Sequence, residues 1–153
     1  MVYRERDKVL AWDMHDDKHN PGMVNGMRWM APPFDHVVSA FIDDVEARGL
    51  ADKILLVCSA EMGRTPRVQG TGGRNHWGGL SPLLLYGGGL PTGQVIGQSN
   101  QDGSNPKSQP VSIKNLLATI LNTVIDVDGL RTSRDLPREM NEIITWRPIP
   151  GML

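Results

Sequence analysis

Three short apolar runs bounded by turn residues constrain this chain more than any other feature: "KVLAW" (Lys8 to Trp12), "KILLVCS" (Lys53 to Ser59) and "PLLLYGGG" (Pro82 to Gly89). Apolar runs of about four to eight residues between turn signals favour buried strands, because helices need about ten or more. Between the first two runs the spacing changes. Phe34, Val37, Val38, Phe41, Ile42 and Val45 recur at i, i+3 and i+4, with Asp43, Asp44, Glu46 and Arg48 on the other face. That pattern predicts an amphipathic helix, capped by Asp35 and closed by Gly49. A second helix is predicted after an N-cap at Ser112, with Ile113, Leu116, Leu117, Ile120, Leu121 and Val124 as its apolar stripe. Residues 126–153 show no sustained period and are expected to wrap the surface. Strand, helix and strand with a buried middle run imply a right-handed βαβ unit in a parallel sheet. The expected class is α/β, with residues 1–125 supplying the sheet and helices of a single domain of 153 residues.

Charge narrows the function. With 16 basic and 17 acidic residues the net charge is -1, so nothing draws the whole chain to nucleic acid or to an anionic membrane. No apolar run approaches the ~18 residues of a membrane span, and "VLAW" after the charged "MVYRERDK" is too short for a signal-peptide core. No export signal is visible, so a cytoplasmic place is expected if the chain is complete. Cys58 is the only cysteine, which excludes an internal disulfide and any multi-cysteine zinc site. Its position inside an apolar run favours a buried, inert thiol.

In open α/β sheets, ligands sit beyond the carboxyl ends of the strands. Asp13 and His15 follow one such end, Glu61 follows the next, and the loop carrying His76 leads back toward the third run. Three chain segments thus bring metal-type ligands to one edge. On an extended chain Asp13 and His15 point to the same side, and a carboxylate with imidazoles suits zinc, manganese or iron. A ligating histidine needs an acceptor for its other ring nitrogen, and Asn75 or a backbone carbonyl can serve. Arg64, Arg67 and Arg74 lie in the same loop, with no acid between Glu61 and Asp102. Their forked donors suit a phosphate or sulfate group. Arg64, closest in sequence to Glu61, is expected to point into the cleft as the anion clamp, with Arg67 the most solvated of the three. The plainer reading of this loop is a Glu61–Arg64 or Glu61–Arg74 salt bridge that ties it down. Asp16, Asp17 and His19 suit a solvated turn, and His36 a structural place on the helix. The glycines fit neither a P-loop nor the GxGxxG order, which argues against nucleotide binding.

The segments "AWDMH", "SAEMGRTPR", "GRNHW", "GGGLPTGQVIGQS" and "PVSIKNLLATI", in this order, resemble the C-terminal part of the planctomycete-rich domain of unknown function 1501, a bacterial family related to sulfatases and alkaline phosphatases. The resemblance runs from about Val9 to the closing "RPIPGML". It implies part of an alkaline-phosphatase-like α/β/α sandwich with a mostly parallel sheet, lacking the N-terminal half. It also implies metal-assisted hydrolysis of a sulfate or phosphate ester, with a sulfated glycan as one possible partner. The superfamily's metal-binding places fall on Asp13, His15 and His76, and a further place on Glu61 and Met62. Met62 is a poor ligand for a hard ion, and "DMH" is tighter than the usual interval, so at most one complete site for a divalent metal is expected. On that resemblance a nucleophile-bearing half is expected to be missing, and Ser59, Thr65 and Ser81 lie in no activating motif. The chain is therefore expected to be inactive alone. The alternatives are a non-catalytic anion- or glycan-binding module, or an interaction protein that self-associates or completes a partner's sheet through an exposed edge. Relatives resemble exported proteins.

Overall fold

The computed structural model describes residues 3–5, 8–70 and 72–153, with side chains from residue 11 onward. Parts of the charged N-terminus, and Thr71 within the Gly70–Gly73 run, lie outside the described residues. In chain order the elements are β1 (Tyr3–Glu5), β2 (Lys8–Leu10), α1 (Met23–Ala47), β3 (Leu55–Ser59), β4 (Gly63–Arg64), β5 (His76–Trp77), β6 (Leu83–Gly87), α2 (Ile113–Val124), α3 (Val127–Arg131) and α4 (Arg138–Ile143).

The expected mostly parallel sheet of a partial α/β/α sandwich is not what forms. The strands make three separate two-stranded pairings, β1 with β2, β3 with β6 and β4 with β5. The first and last are antiparallel, with Tyr3 opposite Leu10 in one and Arg64 opposite His76 in the other. β2 and β3 are not neighbours, so the predicted βαβ unit does not close. The physical reason is local. The chain around β2 turns back onto β1, and the loop after β3 folds onto itself as a hairpin. Antiparallel partners need only a short turn, whereas parallel partners need a long crossover.

By internal contacts the chain forms two compact units. The first comprises Met1–Asp44, Ser59–Leu83 and Ser99–Pro106, and the second Val45–Cys58, Leu84–Gln98 and Lys107–Leu153. In the first, α1 begins well before the predicted cap at Asp35 and runs through Pro32 and Pro33. Interior prolines each remove a backbone donor and crowd the preceding turn. Tertiary contacts fix the N-terminal end of α1. Met23 N–H donates to Gly72 O at 2.9 Å, and Met14, 1 % exposed, presses on Gly26, where any added Cβ would meet its side chain at 2.7 Å. The other end closes as the sequence predicts. Gly49 adopts φ 63° and donates to Glu46 O, while Leu50 donates to Val45 O. Of the predicted α1 stripe, Val45 is buried, whereas Phe34, Val37 and Phe41 are exposed.

In the second unit, α2 starts at Ser112 as predicted. Its hydroxyl accepts from Asn115 N–H, and the Asn115 side chain accepts from Ser112 N–H, a reciprocal capping box. Thr119, fully buried, uses its hydroxyl twice, donating to Asn115 O and accepting from Ile149 N–H at 2.8 Å. That bond draws the chain's last segment inward, where Leu90, Ile149 and Met152 form a core cluster with Leu55 and Leu85 against it. Residues 126–153, expected only to wrap the surface, thus supply two short helices and two members of this cluster. Among the described residues no helix is long and apolar enough to cross a membrane.

Candidate metal centre

The segment Asp13–Met14–His15 alternates. Met14 turns inward against α1, so Asp13 and His15 turn out together. Facing them is the β4–β5 hairpin. In its register Arg64 stands opposite His76 and Gly63 opposite Trp77. Directly opposed residues share a face of the pair, so Arg64 and His76 share one face and Trp77 takes the other. Two backbone bonds fix the hairpin, from Thr65 N–H to Asn75 O at 2.8 Å and from Arg74 N–H to Met14 O at 3.1 Å. The second ties it directly to the ligand-bearing segment. Gly73 permits that approach, since a Cβ there would lie 1.8 Å from His15 O. No side chain fits such a gap.

These contacts bring Asp13, His15 and His76 together as a group able to hold a metal ion. His15 Nε2 lies 2.7 Å from Asp13 Oδ1, His76 Nε2 lies 2.9 Å from the same oxygen, and the two Nε2 atoms are 3.2 Å apart. Ligands ~2.0–2.1 Å from a tetrahedral ion stand roughly 3.3 Å apart. The triangle is only slightly smaller, so a spread of a few tenths of an ångström would admit the ion. His15 Nδ1–H donates to Asn75 Oδ1 at 3.1 Å. In the neutral ring this leaves a bare lone pair on Nε2, the tautomer a metal requires. Without an ion, that lone pair faces a carboxylate oxygen, two acceptors with no proton between them. A divalent cation between them resolves the conflict.

Arg64 reaches the same carboxylate, with Nη2 2.9 Å from Asp13 Oδ1. Its Nη2 also donates to Trp12 O at 2.9 Å, and its Nη1 to Arg74 O at 3.2 Å, with His15 Nε2 at 3.4 Å. The hydrogen bond from His76 is the main cause that lowers the Asp13 carboxyl from 3.8 to about 2. Desolvation opposes it, and the hydrogen bond and charge of Arg64 and the charge of His15 act with it. The site remains open to ligand, with the His76 side chain 49 % exposed and Asp13 44 %.

The other predicted residues separate by position. Glu61 is exposed in the turn between β3 and β4 and is not in the metal group. Arg74 spends its Nη1 on Thr65 O and Pro66 O, closing the loop. Arg67 is exposed and lines a cleft of about 570 Å³ with Thr65, Pro66, Gln69, Trp77 and others. The Trp77 indole N–H donates to Ser104 O at 2.8 Å. Thr65 donates to Arg67 O, and Ser81 Oγ lies 3.5 Å from Ala60 O, so neither hydroxyl is held by a histidine base. Sequence reasoning did not foresee that Arg64 pairs with Asp13. The signal for it was the antiparallel register that sets Arg64 against His76, which is invisible without the hairpin.

A protein-family model described as "Protein of unknown function (DUF1501)" matches residues 2–134. No curated protein matches the sequence, and no solved structure does.

Proposed function

Because the chain belongs to the DUF1501 family, whose function is unknown, its activity has to be read from the site, and we propose that it carries the metal- and anion-binding part of a hydrolase for sulfate or phosphate esters. The observation that carries this reading is the triangle of Asp13 Oδ1, His15 Nε2 and His76 Nε2, with sides of 2.7, 2.9 and 3.2 Å. Two imidazoles and one carboxylate suit zinc or manganese and leave a coordination position open. A divalent ion held there would supply Lewis-acid polarisation of an ester oxygen. Arg64, 2.9 Å from Asp13, adds positive charge to the site, which would favour a bound oxyanion. Asn75 holds His15 in the ligating tautomer. Thr65 and Ser81, without a base against either, support a binding role rather than turnover for these residues alone.

The test is calorimetric titration of inorganic phosphate and sulfate into protein freed of metal, and into the same protein loaded with one equivalent of zinc. The reading expects anion binding in the loaded protein only, and no hydrolysis of aryl phosphate or aryl sulfate in either. Equal anion binding with and without zinc would contradict the metal's part in it. Turnover that disappears in His76→Ala would contradict the non-catalytic part.

A further inference from the structure

Arg64 stands in an unusual relation to this centre. Its Nη2 touches the carboxylate oxygen shared by both imidazoles, 2.9 Å from Asp13 Oδ1, and its Nη1 lies 3.4 Å from His15 Nε2. The same two nitrogens donate to Trp12 O and Arg74 O. One of those carbonyls precedes Asp13 and the other lies two residues before His76, so the guanidinium fastens together the two segments that carry the ligands. It also neutralises Asp13 while no ion is bound.

We propose that Arg64 is a resident cation of the metal centre, which assembles the ligand set in the metal-free protein and opposes the incoming ion, so that the site is preformed but of moderated affinity. This rests on the reading of Asp13, His15 and His76 as metal ligands. The physical reason is distance. An ion ~2.1 Å from Asp13 Oδ1 lies within about 5 Å of Arg64 Nη2, inside the Debye length of ~8 Å at physiological salt. A half-buried guanidinium at that range repels a divalent cation, and its removal tightens binding by about tenfold. The four contacts to protein acceptors keep Arg64 from swinging away, so the opposition is built in. The bonds of Arg64 to Trp12 O and Arg74 O act the other way, since their loss loosens the ligand set, but the backbone bonds from Arg74 N–H to Met14 O and from Thr65 N–H to Asn75 O hold the same segments without it, so the charge decides the sign.

The experiment is a cobalt(II) titration followed by ligand-field absorption, on wild type, Arg64→Gln, Arg64→Lys and His76→Ala, with circular dichroism to confirm folding. Glutamine keeps an amide donor without the charge, and lysine keeps the charge without the fork. The expected result is a dissociation constant about tenfold lower in Arg64→Gln than in wild type, and within about threefold of wild type in Arg64→Lys. Arg64→Met takes the place of Arg64→Gln if the latter does not fold. Wild-type binding that is unchanged or weakened in the neutral variant overturns the resident-cation proposal and leaves the metal site standing. Absence of cobalt binding in every variant, or binding in His76→Ala equal to that of wild type, overturns the metal site and the proposal together.

Discussion

A single carboxylate oxygen organises this site. Asp13 Oδ1 has His15, His76 and Arg64 nitrogens at 2.7, 2.9 and 2.9 Å. Such a concentration of nitrogens around a carboxylate oxygen that is nearly half exposed is hard to explain by stability alone, since exposed ion pairs contribute only ~0–1 kcal/mol each. It makes sense as a ligand set held in readiness. Asn75 is the residue whose role is easiest to isolate, because it touches His15 Nδ1 and not the ion's position. Replacing Asn75 by Ala frees the ring to rotate and to change tautomer. Metal affinity should fall about 10- to 100-fold, with the fold intact, as measured by competition with a chromophoric chelator. Asn75→Asp, which retains the acceptor, should restore most of it. Much of this was legible in the sequence: the D-x-H alternation put Asp13 and His15 on one side, and G-R-N-H offered both His76 and the acceptor Asn75. The Arg64–Asp13 pair was not legible, since 51 positions separate its partners.

At the scale of elements, the hairpin of β4 and β5 does the positioning, and glycine makes it possible. Gly73 sits where a Cβ would be 1.8 Å from His15 O, and Gly63 where one would be 1.9 Å from Leu80 O. Both are contacts with backbone, which cannot yield as a flexible side chain can. Gly73→Ala should therefore push the hairpin off the Asp13–His15 segment and cost about 3 kcal/mol or more. In a domain of this size, that lowers Tm by roughly 6–12 °C. Differential scanning calorimetry measures it, and an unchanged Tm would mean that the loop is not fixed as described. Element existence was legible where the pattern was strong. α2 and its capping box follow from S-I-K-N and the stripe behind it, and β3 and β6 fall inside their apolar runs. What failed was partner choice and one helix start. An apolar run between turn signals says that a strand is present but not which strand it meets. The cap expected at Asp35 is not the start, since α1 begins at Met23 and runs through Pro32 and Pro33.

For the whole molecule, the first unit contains every candidate ligand, and its apolar surface is only partly covered. Phe34, Val37 and Phe41 on α1 are exposed, as are Trp12 and Trp29. Trp12 and Phe34 meet edge to face, with ring centroids 5.8 Å apart, so part of that surface is organised even where it faces solvent. The family match over residues 2–134 covers this unit from residue 2 onward, the candidate centre included. Function therefore turns on whether the centre takes an ion. The most direct measurement is native mass spectrometry of the protein after exposure to zinc and removal of the excess, in wild type and His76→Ala. Zinc is the chosen probe because the ligand set is two imidazoles and a carboxylate. Wild type should retain one zinc ion per chain and His76→Ala none. Wild type without zinc, or equal retention in both proteins, would contradict this.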